Sequence, residues 1–201
     1  LNDLLLLYRQ MLILNCTTKY YHNSNMLSYQ TLSIITINFN NIDGLKRTVA
    51  SVINQTWKNF EYIVIDGGST DGSAEYIAEM KNSFEYSISE KDKGIYNAMN
   101  KGIKVANGDY LYFLNSGDYF RDTNILKLIS GDFLKDFDLL FYGVVIGDRI
   151  RQIDIGKNFL EVLRDGNTPP HQGTFFKKTI FSEFGMFNES FQIAGDIQFF
   201  A

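Results

Sequence analysis

The sequence has little of what several common kinds of site require. Its 201 residues include one cysteine, Cys16, so no internal disulfide can form. Two histidines, His22 and His171, are too few to build a histidine-rich zinc centre. Positive charge is not in excess. Lys and Arg number 19 against 23 Asp and Glu, which gives a net charge of -4 and no electrostatic footprint for nucleic acid. No apolar run approaches the ~18 residues of a membrane-crossing helix. The leading Leu1-Asn2-Asp3-Leu4-Leu5-Leu6-Leu7 has an acid before its apolar stretch and no basic segment, which makes it a poor signal peptide. Three familiar signatures are also missing. There is no Walker loop, no G-x-G-x-x-G fingerprint, and no G-x-S-x-G nucleophile elbow.

What is present is ordinary globular material. Hydrophobic residues make up 45% and charged residues 21%, and the length favours one α/β domain. Aromatics are plentiful, with 17 Phe and 12 Tyr, which suits stacking on bases and sugars as well as core packing. Residues 1–30 are set aside as an N-terminal extension. They read either as upstream sequence or as an accessory helix around Leu4–Leu14, with Met26 just before the first convincing strand. The last residues, Asp196 to Ala201, read as the middle of an element. A domain over 31–201 is therefore expected to be truncated at its C-terminus.

Strand and helix alternate from Leu32 onward. The apolar, β-branched run Leu32–Phe39 predicts a buried strand. Leu45, Val49, Val52 and Ile53 follow at helical spacing. Strands are predicted over Phe60–Ile65 and Phe84–Ser89, with a helix over 73–81 between them. Ile95, Ala98, Met99, Gly102, Ile103 and Ala106 predict the clearest helix, with Gly108 as its stop. A strand over Tyr110–Leu114 completes a parallel, right-handed βαβ arrangement. The pattern then changes: a short helix near 123–129, a strand over Leu139–Ile146, a turn at Gly147-Asp148, and a return strand over Arg149–Ile155. A helix near 159–163 and a strand over 173–176 follow, the second of them after the Pro169-Pro170 turn. The chain so divides into a nucleotide-type half, 31–118, and a mixed half, 119–201.

Ligands of an open parallel sheet sit beyond the carboxyl ends of its strands. Here those ends carry Asn38-Phe39-Asn40, Asp66, and Asn115 with Asp118. Phe39 can stack on a base, or be a core aromatic. Asp66 can accept from a base imide or ribose hydroxyl, or merely cap the next helix. An oxygen pair at a strand end, Asn115 and Asp118, suits a hard cation such as Mg2+ or Mn2+, or is simply a polar turn.

Four segments, in order, resemble motifs of the family 2 glycosyltransferases. They are Ile34–Asn40, Tyr62–Gly72, Glu90–Gly102 and Asn115–Asp118. The similarity is to bacterial polysaccharide-assembly members of the colanic acid type. It implies a glycosyltransferase-A fold: a Rossmann-like, mostly parallel α/β sheet flanked by helices, with a smaller antiparallel second half. It implies an inverting, metal-dependent transferase that moves a sugar from a nucleotide-sugar donor, UDP-linked, to a glycan or lipid-linked acceptor. Asn38, Phe39, Asp66 and Asp92 match donor-binding positions, and Asn115 and His171 line the donor site. Asp118 matches the metal ligand, for Mn2+ or Mg2+. Asp196, in Ile193-Ala194-Gly195-Asp196, matches the catalytic base. One departure is plain: the first acid of the Asp-x-Asp-type segment is the uncharged Asn115. The implied setting is the cytoplasm, with peripheral contact to the inner membrane face through the acceptor. Two other readings compete. A sugar-1-phosphate nucleotidyltransferase would want a glycine-rich basic loop after the first strand, where this chain has Asn40-Asn41-Ile42-Asp43. A non-catalytic nucleotide-sugar-binding module is the other.

Overall fold

The computed structural model describes residues 30–133, 136–147, 149–151 and 171–191. Strand β1, Leu32–Asn38, is buried along its whole length. Helix α1, Ile42–Ile53, leads to β2, Phe60–Asp66, and α2, Ser73–Glu79, leads to β3, Tyr86–Ser89. Helix α3, Ile95–Val105, leads to β4, Tyr110–Phe113. Then come α4, Ile125–Phe133, β5, Leu139–Phe141, β6, Val144–Ile146, and β7, Arg149–Arg151. Strand β8, Thr174–Lys177, and α5, Thr179–Glu183, close the described chain.

Six strands form one sheet in the order β3-β2-β1-β4-β8-β5. The first four are parallel, and β8 runs antiparallel to both β4 and β5. The side-chain period of two sends alternate residues to opposite faces. Leu32, Ile34, Tyr62 and Val64 pack with Leu45, Val49 and Val52 of α1 and with Leu126 and Ile129 of α4. Ile35, Ile37, Ile63 and Ile65 pack with Met99 and Ile103 of α3 and with Phe181 of α5. A sheet covered on both faces explains why its strands read as continuous apolar runs. Parallel β1, β2 and β4 therefore end on one rim, where Asn38 lies opposite Asp66 in the ladder.

Two expectations are corrected. The apolar run 139–146 is not one strand. Its first part pairs with β8, and its second leaves the sheet to form a hairpin with β7. Gly173 presses on the Tyr142 carbonyl and accepts the Tyr142 N–H at 2.7 Å, which marks the point of departure. Apolar continuity reports burial, not partner, so the break is silent in the sequence. Gly108 is not a left-handed helix cap. The helix ends at Val105 with Ala106 extended. Gly108 is instead pressed against β1: a Cβ there would lie 2.6 Å from the Ser33 backbone nitrogen. Gly108→Ala is expected to destabilise the fold by about 1–3 kcal/mol, read by urea unfolding, because backbone rather than a flexible side chain must yield. The helix expected near 159–163 lies outside the described residues, as do the N-terminal extension through residue 29 and the C-terminal Asp196 to Ala201.

Candidate active site

The rim is built first from Asn38 and Asp66, the last residues of β1 and β2. Both are buried. Asn38 Nδ2 donates to Asp66 Oδ1 at 2.7 Å and to Ser69 Oγ at 3.2 Å. The Asp66 carboxylate also accepts from Ser69 Oγ at 2.5 Å, Ser69 N at 2.9 Å, Gly68 N at 3.2 Å and Ser89 Oγ at 2.6 Å. Burial pushes its pKa up, but hydrogen bonds from Ser69, Ser89 and Asn38 outweigh that and hold it below the usual aspartate value. Asp66 is thus the hub of its own loop. Direct contact with a nucleoside would require one of these bonds to be exchanged. Asn38 Oδ1, by contrast, is buried without a hydrogen-bond partner.

Removing the Asp66 carboxylate leaves donors from Asn38, Ser69 and Ser89 stranded. Asp66→Ala is expected to cost about 3 kcal/mol of stability in urea unfolding. The pH dependence follows from the lowered pKa. The Asp66 contribution is complete above an aspartate's ordinary value and is lost as pH falls through the lower folded value. The wild type should therefore lose more stability on acidification than Asp66→Ala.

Phe39 stands free of this network and is 64% exposed. A Cβ added at Gly67 would meet Asp92 Oδ2 at 2.6 Å and Phe39 Cδ2 at 3.1 Å. Phe39, Gly67 and Asp92 therefore adjoin, the ring and the carboxylate both close against a backbone that carries no side chain. Asp92 Oδ1 accepts from Gly94 N at 2.8 Å at the start of α3, which fixes the carboxylate there.

Beyond β4 the ladder continues through Leu114 N to Ile35 O and Ser116 N to Ile37 O. The chain then turns at Gly117, whose φ of 105° is a glycine conformation. Asp118 follows, half-buried. Burial pushes its pKa up; His171, a hydrogen bond from Gln172 and Arg47 offset this only in part. Asn115 Nδ2 lies 3.1 Å from His171 Nε2, while Asn115 Oδ1 is buried without a hydrogen-bond partner. The structure so brings Asn115, Asp118 and His171 together, and sets Asn38, Phe39, Asp66 and Asp92 on the neighbouring strand ends. Asp196 lies outside the described residues.

Several organising residues went unread in the sequence. Tyr112 of β4 is 5% exposed and stacked on Phe175, with ring centroids 4.2 Å apart. Its hydroxyl also donates to the Gln172 carbonyl at 2.5 Å and so fixes the His171-Gln172 turn. Thr48 and Ser51 of α1, and Gln55 just beyond its end, reach the segment after β4. Phe120 N donates to Ser51 Oγ, and Gln55 bonds Asp122 O and Leu126 N. The signal was available: Asn41, Gly44, Thr48, Ser51 and Gln55 recur at helical spacing beside the apolar stripe.

Residues 33–195 match the family model described as Glycosyl transferase family 2. The chain belongs to glycosyl transferase family 2. An uncharacterized glycosyltransferase of Mycobacterium tuberculosis is 38% identical over 182 residues, covering 87% of this chain and 69% of that protein. Among solved structures, Staphylococcus aureus TarS in complex with UDP superposes with a TM-score of 0.69 at 20% identity, over 85% of this chain and 54% of that one. A mannosyltransferase from Pyrobaculum calidifontis, in complex with GDP-Man and Mn2+, gives 0.58 at 17% identity, over 81% and 49%. These likenesses show the fold, which is the glycosyltransferase-A fold. The chain spans about half the length of the solved structures it matches.

For a family 2 glycosyltransferase the donor set fits a divalent cation shared with a substrate. Among the described residues no group of three His, Cys, Asp or Glu could hold an ion alone. Mg2+ and similar ions, however, are commonly held by one or two carboxylates plus substrate phosphates and water. Asp118 would supply one such carboxylate; burial raises its pKa, and His171, Gln172 and Arg47 offset that only in part.

Proposed function

We propose that the chain is an inverting glycosyltransferase that moves a sugar from a UDP-linked donor to a glycan or lipid-linked acceptor, with Mn2+ or Mg2+, in cell-surface polysaccharide biosynthesis. One observation supports this most. Adjacent strand ends carry an exposed ring beside a carboxylate, an unpaired buried carbonyl at Asn38, and then a half-buried acid at Asp118. That row suits a nucleoside followed by a diphosphate. The UDP complex of TarS and the Mn2+ complex of the mannosyltransferase, both of the same fold, support the choice of ligands.

In this reading Phe39 stacks on the base and Asn38 Oδ1 accepts from its imide. Asp92 faces the nucleoside, and Asp66 holds the loop that carries Gly67. Asn115 and His171 contact the donor beyond the nucleoside. Asp118 would hold the cation, which would supply neutralisation of charge on the departing diphosphate. The acceptor hydroxyl oxygen attacks the anomeric carbon from the face opposite the diphosphate. As that bond forms, the bond to the diphosphate oxygen breaks, and UDP departs with the electron pair. Asp196 takes the hydroxyl proton. Residues 31–118, joined by His171, serve the donor, and the rest of residues 119–201 the acceptor. The setting is the cytoplasm, at the inner face of the membrane where the acceptor is lipid-linked. Among the described residues no helix is long and apolar enough to cross a membrane.

A thermal-shift comparison of UDP, GDP and dTDP with and without Mn2+ tests the proposal. UDP with Mn2+ is expected to raise the Tm most. No gain from any of the three would count against a donor site of this kind.

A further inference from the structure

The carbonyls of the loop that presents Asp118 are held by α1. Three consecutive carbonyls each meet a side chain of α1 or its cap. Asn41 Nδ2 donates to Ser116 O at 3.0 Å, and Arg47 donates to Gly117 O at 2.8 Å. Thr48 Oγ1 donates to Asp118 O at 2.7 Å. Thr48 Oγ1 also accepts the Gly117 N–H at 3.0 Å, so a single hydroxyl grips the chain on both sides of the 117–118 peptide. That hydroxyl has one proton; the Gly44 carbonyl at 2.9 Å is the alternative acceptor within its own helix.

Thr48 is buried, and Leu45, Val49 and Val52 fix its helix in the core. Gly117, with φ of 105° and no Cβ, offers little stiffness of its own at this turn. The orientation of the 117–118 peptide decides where the Asp118 side chain leaves the backbone. With the carbonyls engaged by α1, the carboxylate accepts a hydrogen bond from Gln172 and lies within the fields of His171 and Arg47.

We infer that Thr48 is a positioning residue for Asp118: its hydroxyl sets the peptide that aims the carboxylate at the cation and diphosphate. The inference rests on the reading of Asp118 proposed above.

The test measures Mn2+ affinity in the presence of UDP, by electron paramagnetic resonance of free Mn2+, and UDP affinity in EDTA. Thr48→Val keeps the shape and removes the hydroxyl. It is expected to weaken Mn2+ binding about ten-fold or more, as loss of a group that orients a ligand does. UDP affinity in EDTA should stay within about two-fold, because the Thr48 hydroxyl bonds Gly44, Gly117 and Asp118 rather than Asn38, Phe39 or Asp92. Thr48→Ser keeps the hydroxyl and should retain wild-type Mn2+ affinity. Asn41→Ser lies on the surface and keeps the helix cap. It should weaken Mn2+ binding about three-fold by releasing Ser116 O, and it carries the test if Thr48→Val fails to fold. Wild-type Mn2+ affinity in folded Thr48→Val would overturn the inference. So would a loss in Thr48→Ser equal to that in Thr48→Val, because a chain that keeps the hydroxyl would then bind Mn2+ no better than one that lacks it. Wild-type affinity in Asn41→Ser would do the same where Thr48→Val is unfolded. A wild-type chain that binds no Mn2+ beside UDP overturns the reading of Asp118 itself, a different and distinguishable failure.

Discussion

Asp118→Asn is expected to lower cation-dependent sugar transfer by about 10²–10³-fold, the range for loss of one preorganised electrostatic group at a developing charge. The substitution preserves size and removes only the negative charge. What makes it informative is the accompanying stability. Burial pushes the Asp118 pKa up, so the ionised carboxylate is disfavoured in the folded chain relative to the unfolded one. With its folded value above the ordinary one, this acid contributes less stability as pH rises through that interval. The Asp118→Asn variant should therefore be as stable as the wild type in EDTA, or more so, while losing the Tm gain that Mn2+ and UDP give the wild type. In the wild type, Mn2+ binding should weaken on acidification at a pH above an aspartate's ordinary value, where proton and cation compete. A variant that fell in activity and in EDTA stability together would point to a structural acid instead.

The second large effect belongs to Asp196. Asp196→Asn is expected to reduce kcat by about 10²–10⁴-fold, the usual weight of a general base in the transition state. Donor affinity should be nearly unchanged, since the base acts on the acceptor hydroxyl. Steady-state kinetics with a fixed acceptor separate the two quantities. A comparable loss of UDP binding in that variant would remove the residue from the role of base and place it on the donor.

How far the sequence could be read depended on what each residue answers to. Leu32–Asn38 and Phe60–Asp66 were legible because a doubly covered strand must be apolar throughout, and their polar last residues announce the rim. The parallel order followed from strand–helix alternation. Partner choice was not legible: 139–146 is equally apolar on both sides of the point where it leaves the sheet. Gly108 was read from its position after a helix, whereas it answers to the backbone of Ser33, far away in sequence.

The candidate site divides in the same way. Phe39 and Asp118 could be picked out because charged or aromatic residues beyond strand ends stand apart from a core pattern, whereas Asp92 came only from the family resemblance. The internal commitments of Asp66 could not, because Ser69 and Ser89 look like ordinary loop and strand-end residues until their hydroxyls are placed on its carboxylate. Thr48 was hidden for a related reason. A buried threonine in an amphipathic helix passes for core, yet its hydroxyl is committed to the Gly117–Asp118 segment. Tyr112 passes for core as well, and in part it is: the ring packs, and the hydroxyl holds the His-Gln turn.

The central claim is that a sugar leaves a nucleotide diphosphate at the rim formed by β1, β2 and β4. The most direct measurement is release of nucleoside diphosphate by the chain from a panel of UDP-, GDP- and dTDP-sugars, with Mn2+ and with EDTA. A UDP-sugar is expected to give release in Mn2+, suppressed by EDTA and by Asp118→Asn. The account would be contradicted by a chain that binds UDP tightly with Mn2+, yet releases no diphosphate from any donor in the presence of glycan and lipid-linked acceptors.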